Sequence, residues 1–173
     1  MTNHDFPPAS NADIERVAEL LGRQPRGRFC VVVRDHTGDP VVVRNDPFLD
    51  DGTPMPTRYY LVGAELVKAV SRIESDGAVD EVEAELGDEV ISAIHRRYQI
   101  ERDAAIADEH VGPRPSGGVG GTRRGVKCLH AHVAHALATG ADEIGEWTLA
   151  RVPAGTAGAP ATAGSSVSSE HQS

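Results

Sequence analysis

The sequence predicts an α+β fold: a small antiparallel sheet packed against several helices in a single domain. Two β-branched runs, Arg28 to Arg34 and Pro40 to Arg44, flank Asp35-His36-Thr37-Gly38-Asp39, a turn-rich interval of hairpin length. Several later segments instead repeat their apolar residues every three to four positions, the helical period. With 39% hydrophobic residues but only 4% aromatic ones, the core must come mainly from Val, Leu, Ile and Ala.

The elements follow in order. Residues 1–9 read as a flexible lead-in, 10–152 as the domain and 153–173 as a disordered tail dominated by Ala, Gly, Ser, Thr and Pro. Ser10 or Asn11 caps a first helix with Ile14, Val17, Ala18 and Leu21 on one face, and Gly22 ends it. The valine triplets of the hairpin suit strands covered on both faces, or on one face by a partner element. Asn45 to Pro56 is a loop whose Asp46, Asp50 and Asp51 match no calcium-loop spacing and read as turn residues. Thr57 to Val62 is a third strand. Ala64 to Asp76 is a helix, with Leu66, Val67, Val70 and Ile73 buried. Val79 to about His110 continues helical with a break at Gly87. Asp142 to Val152, with the only tryptophan, adds a short strand or packs over the core.

A formal charge of -9 argues against bulk nucleic-acid binding, which wants a basic surface. Cys30 and Cys128 are far apart and do not resemble a disulfide framework, which fits a reducing compartment. The first residues lack a basic leader and an apolar stretch, and the longest strongly apolar run, Phe29 to Val33, is too short for a bilayer. A cytoplasmic protein without membrane attachment is expected; nothing in the pattern specifies an oligomeric state.

Reactive side chains concentrate between Gly117 and His135. Gly117, Gly118, Gly120, Gly121 and Gly125 permit positive φ and close backbone approach to a ligand. Arg114, Arg123, Arg124 and Lys127 make the stretch locally basic, since no carboxylate occurs from Val111 to Ala141. The order of residues is not that of a Walker A loop. From Lys127 to Thr139 a helix is expected, ended by Gly140. At about 100° per residue, Cys128, His132 and His135 would share a face away from Leu129, Val133 and Leu137, with His130 nearer the apolar edge.

Three readings compete for that face. Cys128, His132 and His135 suit zinc as ligands. Cys128 near a helix N-terminus with a histidine beside it suits a nucleophile and its base. The third reading is a buried cysteine and hydrogen-bonded histidines without chemistry. Upstream, His95, Tyr98 and Arg102 follow at helical spacing. They either line a pocket, Arg102 holding an anion and His95 moving protons, or make a tertiary contact.

Four segments resemble one family: Gly22-Arg23-x-Pro25-Arg26-Gly27, Asp51-Gly52-Thr53-Pro54-x-Pro56-Thr57, Ser71-Arg72-Ile73-Glu74, and Gly125-Val126-Lys127-Cys128-Leu129-His130-Ala131-His132. Together they are similar to the actinobacterial domain of unknown function 501, over most of residues 15 to 150. The resemblance implies a soluble bacterial protein and assigns no catalytic residue.

The leading functional reading is a small-anion pocket of the phosphate type. Gly117, Gly118, Gly120, Gly121, Arg123, Arg124, Lys127 and Arg102 would hold the anion. Cys128, His130, His132, His135 and His95 would stand beside it, and a hydrolase or transferase would suit such a site. The alternative is a non-catalytic interaction or regulatory protein whose Cys/His cluster is structural or binds zinc.

Overall fold

The computed structural model describes residues 6–159. Helix α1 (Asn11–Leu21) precedes an antiparallel sheet of β1 (Phe29–Arg34), β2 (Pro40–Asn45) and β3 (Tyr59–Leu61), in the order β1-β2-β3. Then come α2 (Ala64–Ser75), α3 (Ala78–Asp103), a short 3-10 turn (Val119–Gly121), α4 (Leu129–Thr139) and α5 (Glu143–Leu149). The architecture is the expected α+β domain. Among the described residues, no helix is long and apolar enough to cross a membrane.

Local chemistry explains most boundaries. Ser10 and Asp13 form a reciprocal capping box that satisfies two backbone donors at the start of α1. In the hairpin turn, Asp35 Oδ1 accepts from the Thr37 and Asp39 amides, holding the chain reversal between the valine runs. Helix α3 is interrupted at Gly87, where φ is 75° and ψ 163°. The loop aspartates serve turns and surface pairs: Asp51 accepts from the Thr53 amide and Asp46 pairs with Arg28.

Strand β2 is covered on both faces, with Pro40 to Arg44 all buried. Val42 belongs to the main core, while Val43 joins Val17, Phe29 and Val62 in a smaller one beneath α1. The main core draws on β3 (Leu61), α2 (Leu66, Val70), α3 (Ile94, Tyr98), α4 (Leu129, Val133) and α5 (Ile144). Helix α4 is central, packing on β3 and α5 and touching β1, β2 and α2.

Four expectations shift. Helix α4 begins at Leu129, not Lys127, and Cys128 is its N-cap in extended backbone (φ -162°, ψ 120°). Helix α3 stops at Asp103, before the turns that lead to His110. The stretch expected as a short strand or core cover is helix α5, because the Asp142 side chain accepts from the Gly145 amide and starts a helical turn. Residues 153–159, expected in the tail, form two turns, and Ala159 packs against the main core. Residues 160–173 of that tail, and 1–5 of the lead-in, lie outside the described residues.

Gly145 is where α5 crosses α4 most closely: a β-carbon there would lie 2.3 Å from the His132 carbonyl oxygen. Gly145→Ala is expected to lower unfolding stability by about 1–3 kcal/mol, measured by urea denaturation. A neutral result would mean that α5 can lift off α4 freely.

Candidate functional site

The start of α4 gathers reactive groups from two helices. Cys128 Sγ lies 3.5 Å from His130 Nδ1, and Glu74 Oε2, from the last turn of α2, lies 3.1 Å from the same nitrogen. The other oxygen of Glu74 accepts from the Leu129 amide at 2.6 Å, so this carboxylate occupies the amide-rich end of α4. His130 Nε2 faces Ser71 Oγ at 3.0 Å and the Val67 carbonyl at 3.2 Å. A carbonyl only accepts, so Nε2 carries a proton, while Nδ1 faces Cys128 and Glu74 and either donates to them or, in the neutral ring, presents its lone pair. The hydrogen bond to Cys128 raises the His130 pKa, against the effect of burial. Among the described residues, Glu74, Cys128 and His130 are the one trio whose ligand atoms all lie within 4.8 Å of one another.

His132 and His135 point elsewhere. Both place Nδ1 2.9 Å from Asp142 Oδ2, and the side chains of His132 and Asp142 are wholly buried. His135 Nε2 also faces Glu101 Oε2 at 3.4 Å, and Glu101 accepts a short hydrogen bond from the Tyr59 hydroxyl. Tyr59 stacks on the His135 ring and Tyr98 meets it edge-on. Burial pushes the Asp142 carboxyl up, but the hydrogen bonds to His132 and His135 outweigh it and hold the pKa at about 2. Burial likewise opposes charge on His135, and its bonds to Asp142 and Glu101 outweigh that, raising its pKa. Glu101 is lowered on balance, its bonds to His135 and Tyr59 exceeding the opposing effect of burial. His135 is therefore an imidazolium held between two carboxylates. The expected shared face of Cys128, His132 and His135 does not form. Cys128 precedes the first helical residue, so its side chain leaves in another direction.

The glycine loop turns inward rather than toward a ligand. The Gly118, Val119, Gly121 and Thr122 amides donate to Thr122 O, His95 Nδ1, Gly118 O and Val119 O respectively. Arg102, 2% exposed, donates to the Gly117 carbonyl and pairs with Asp103. His95 accepts from Val119 and donates from Nε2 to the Gly125 carbonyl, and burial lowers its pKa, so it stays neutral. A β-carbon on Gly118 would lie 2.3 Å from His95 Nδ1, which is why the close approach needs glycine. The Tyr98 hydroxyl donates to Pro56 O and accepts from the Arg58 amide. His95, Tyr98 and Arg102 are all buried; His95 and Arg102 fasten the glycine loop to α3, and Tyr98 ties α3 to Pro56 and Arg58. Gly120 alone of the four candidate loop glycines lines a cavity at the start of α4, as does Lys127, while Arg123 and Arg124 are exposed.

That cavity, about 660 Å³, lies between the end of α1, β3, α2 and the start of α4. Cys128 and His130 line it, with Lys68 and Lys127. Tyr59 ties its wall to the buried histidine cluster. Glu74 and Asp142 were the partners that sequence reading missed. Glu74 was visible only as part of a family-like motif, and Asp142 only as a residue three before a glycine.

The cluster makes stability depend on pH in both directions. The raised His135 pKa contributes stability fully present below its unfolded value, near 6.5, and lost as pH rises through the folded value. The lowered Asp142 and Glu101 values contribute stability present above their unfolded values, 3.8 and 4.5, and lost as pH falls through the folded ones. The cluster is therefore expected to stabilise most between about pH 4.5 and 6.5. His135→Leu should remove the alkaline fall and cost about 3–5 kcal/mol, since it leaves Asp142 buried with one partner fewer. Melting curves across pH check both; an unchanged alkaline limb would show that His135 is neutral in the folded protein.

No curated protein and no solved structure matches this chain. A family model does, over residues 31–150, a span that includes most of the sheet, Glu74, Cys128, the buried histidines and α5. The chain belongs to the family described as protein of unknown function (DUF501).

Proposed function

We propose that this protein binds a divalent metal ion of the zinc type through Glu74, Cys128 and His130, and presents it to a small molecule in the adjoining cavity. The observation that carries the reading is the convergence of three electron-pair donors. The Cys128 sulfur, a Glu74 carboxylate oxygen and a His130 ring nitrogen all lie within 4.8 Å of one another. A divalent cation satisfies all three, and with two anionic ligands it makes the centre neutral. Cys, His and Glu together form a donor set that suits zinc. Two ligands at ~2.3 and ~2.1 Å from a tetrahedral ion lie ~3.6 Å apart, close to the 3.5 Å between Cys128 Sγ and His130 Nδ1.

The surroundings support it. Metal-bound histidines usually donate their other ring N–H to a fixed acceptor, and His130 does so to Val67 and Ser71. Glu74 is oriented by the Leu129 amide, leaving Oε2 for the ion. Three protein ligands leave a tetrahedral ion one position for water or a ligand. Cys128 and His130 line the cavity, so an ion held by them would adjoin it. There the metal would polarise a carbonyl or phosphoryl oxygen, which suits hydrolysis or group transfer on a small anionic substrate. This zinc set replaces Cys128, His132 and His135, whose two histidines are committed to Asp142. The 3.5 Å Cys128–His130 contact also favours a second, metal-free reading, in which His130 takes the thiol proton and Cys128 is a nucleophile.

Protein prepared without chelator is expected to carry close to one equivalent of zinc by elemental analysis. Replacing that zinc with cobalt should give a thiolate-to-cobalt absorption band. Cys128→Ser and Glu74→Gln should each abolish stoichiometric binding; the latter keeps an acceptor for the Leu129 amide. Ser71→Ala, which removes an outer contact to His130, should weaken binding about 10–100-fold. Folded protein that takes up no metal, yet shows His130-dependent alkylation of Cys128, would overturn the metal centre in favour of the thiol reading.

A further inference from the structure

The cavity's walls differ in kind from the rest of the molecule. The chain is acidic overall, yet no Asp or Glu lines this cavity, and Lys68 and Lys127 do. Lys68 also pairs with Glu65 at the surface, at 3.1 Å. Lys127 adjoins Cys128, so its ammonium and the reactive trio belong to the same end. Much of the rest of the lining is apolar: Leu20 and Leu21 close α1, Val62 leaves β3, and Val67, whose carbonyl accepts from His130, stands on α2. Tyr60, 42% exposed, sits among them as one of the few large apolar side chains left open to solvent.

From this we infer that the cavity takes a small amphiphilic anion. An acidic head sits at Lys127 and the metal, and an unbranched apolar body lies along Leu20, Leu21, Val62 and Val67. The assignment rests on the metal-centre reading for the position of the head, and on the cavity walls for the body. The physical case has two halves. An anion approaching an acidic protein is repelled in general, so a cavity wall that carries lysines and no Asp or Glu marks the place where it is accepted. A head alone would leave the apolar walls wet, whereas an apolar body gains roughly 25 cal/mol for each Å² it removes from water. Cavities of about 300–1,000 Å³, mainly apolar with a few convergent polar groups, are the usual form of small-molecule sites, and this one has about 660 Å³. Inorganic phosphate and nucleotides, polar over most of their surface, match the lysines but not the walls. A carboxylate and a phosphate monoester are equivalent heads for these cations, and the choice between them falls to the experiment.

The test uses the full chain loaded with cobalt, titrated separately with octanoate, octyl phosphate, octylamine and acetate. Melting temperature and the cobalt spectrum are the two readouts. At least one octyl anion is expected to raise the melting temperature in a concentration-dependent way and to perturb the cobalt band; the better of the two identifies the head. Octylamine and acetate are expected to do neither at the same concentrations. Lys127→Glu, at an exposed position, should weaken octyl-anion binding about tenfold, the effect of one close charge. Val67→Trp should block binding by filling the apolar part of the cavity, and Tyr60→Ser should weaken it without touching the core. If cobalt binds but neither octyl anion shifts the melting temperature, the ligand assignment fails and the metal centre stands. If no cobalt binds but the selectivity for octyl anions and its loss in Lys127→Glu persist, the metal reading fails and the assignment stands on the cavity alone. Equal response to acetate would overturn the apolar body, and equal response to octylamine the acidic head.

Discussion

A carboxylate in the interior of a protein must be matched, and Asp142 is wholly buried. Moving an isolated carboxylate out of water costs far more than a small domain's net stability. The groups that hold Asp142 therefore constrain everything near them. His132 and His135 come from one face of α4, and the Gly145 amide comes from the first turn of α5. Through His135 the cluster reaches Glu101 on α3, and through Glu101 it reaches Tyr59 on β3. Four elements are thereby joined at one charge. The rotation of α4 about its axis is fixed, because turning it by one residue, about 100°, would take both histidines away from Asp142.

That fixed rotation places the start of the helix. Cys128 and His130 stand opposite Glu74 only if α4 has this orientation and α2 runs beside it. The glycine loop before the helix does complementary work. Its amides are spent within the loop and on His95, and Arg102 holds its carbonyl from the core. A loop so fastened positions the chain that follows it; Gly118 lies too close to His95 for a side chain, and Gly117, Gly120 and Gly121 take positive φ. The anion expected at the amide-rich end of α4 is present after all, but it belongs to the protein. Glu74 bonds the Leu129 amide, and Glu83 bonds the Val126 amide from α3.

Much of the fold was legible in the sequence because its determinants are local. The Ser10 cap, the Asp35 turn, the break at Gly87 and the stop at Gly140 each rest on a few neighbouring residues. The reactive stretch was legible as a place but not as an arrangement. Helical projection assumed that Cys128 lies inside the helix, and one residue of boundary error moved it to another site. The absence of carboxylates between Val111 and Ala141 suggested an unmet positive charge, yet acids distant in sequence supply what that stretch lacks. Glu74 precedes Cys128 by 54 positions, and no local pattern links them. His132 and His135 at i and i+3 on an otherwise apolar helix were the readable sign of a buried polar cluster, but not of its partner.

The two clusters on α4 differ in setting: one is buried among four elements, and the other stands at a cavity wall. Around Asp142 the charges are partnered within the protein: His135 lies between two carboxylates, and Asp142 and Glu101 each accept from further donors. Around His130, Nδ1 faces a carboxylate oxygen at 3.1 Å and a sulfur at 3.5 Å, and Nε2 is already committed to Ser71 and Val67. Without a metal, only protonation of one of these three groups relieves the repulsion, and the raised His130 pKa is the trace of that compromise. The same helix thus spends His132 and His135 on holding itself still and leaves His130, at the cavity wall, beside Glu74 and Cys128.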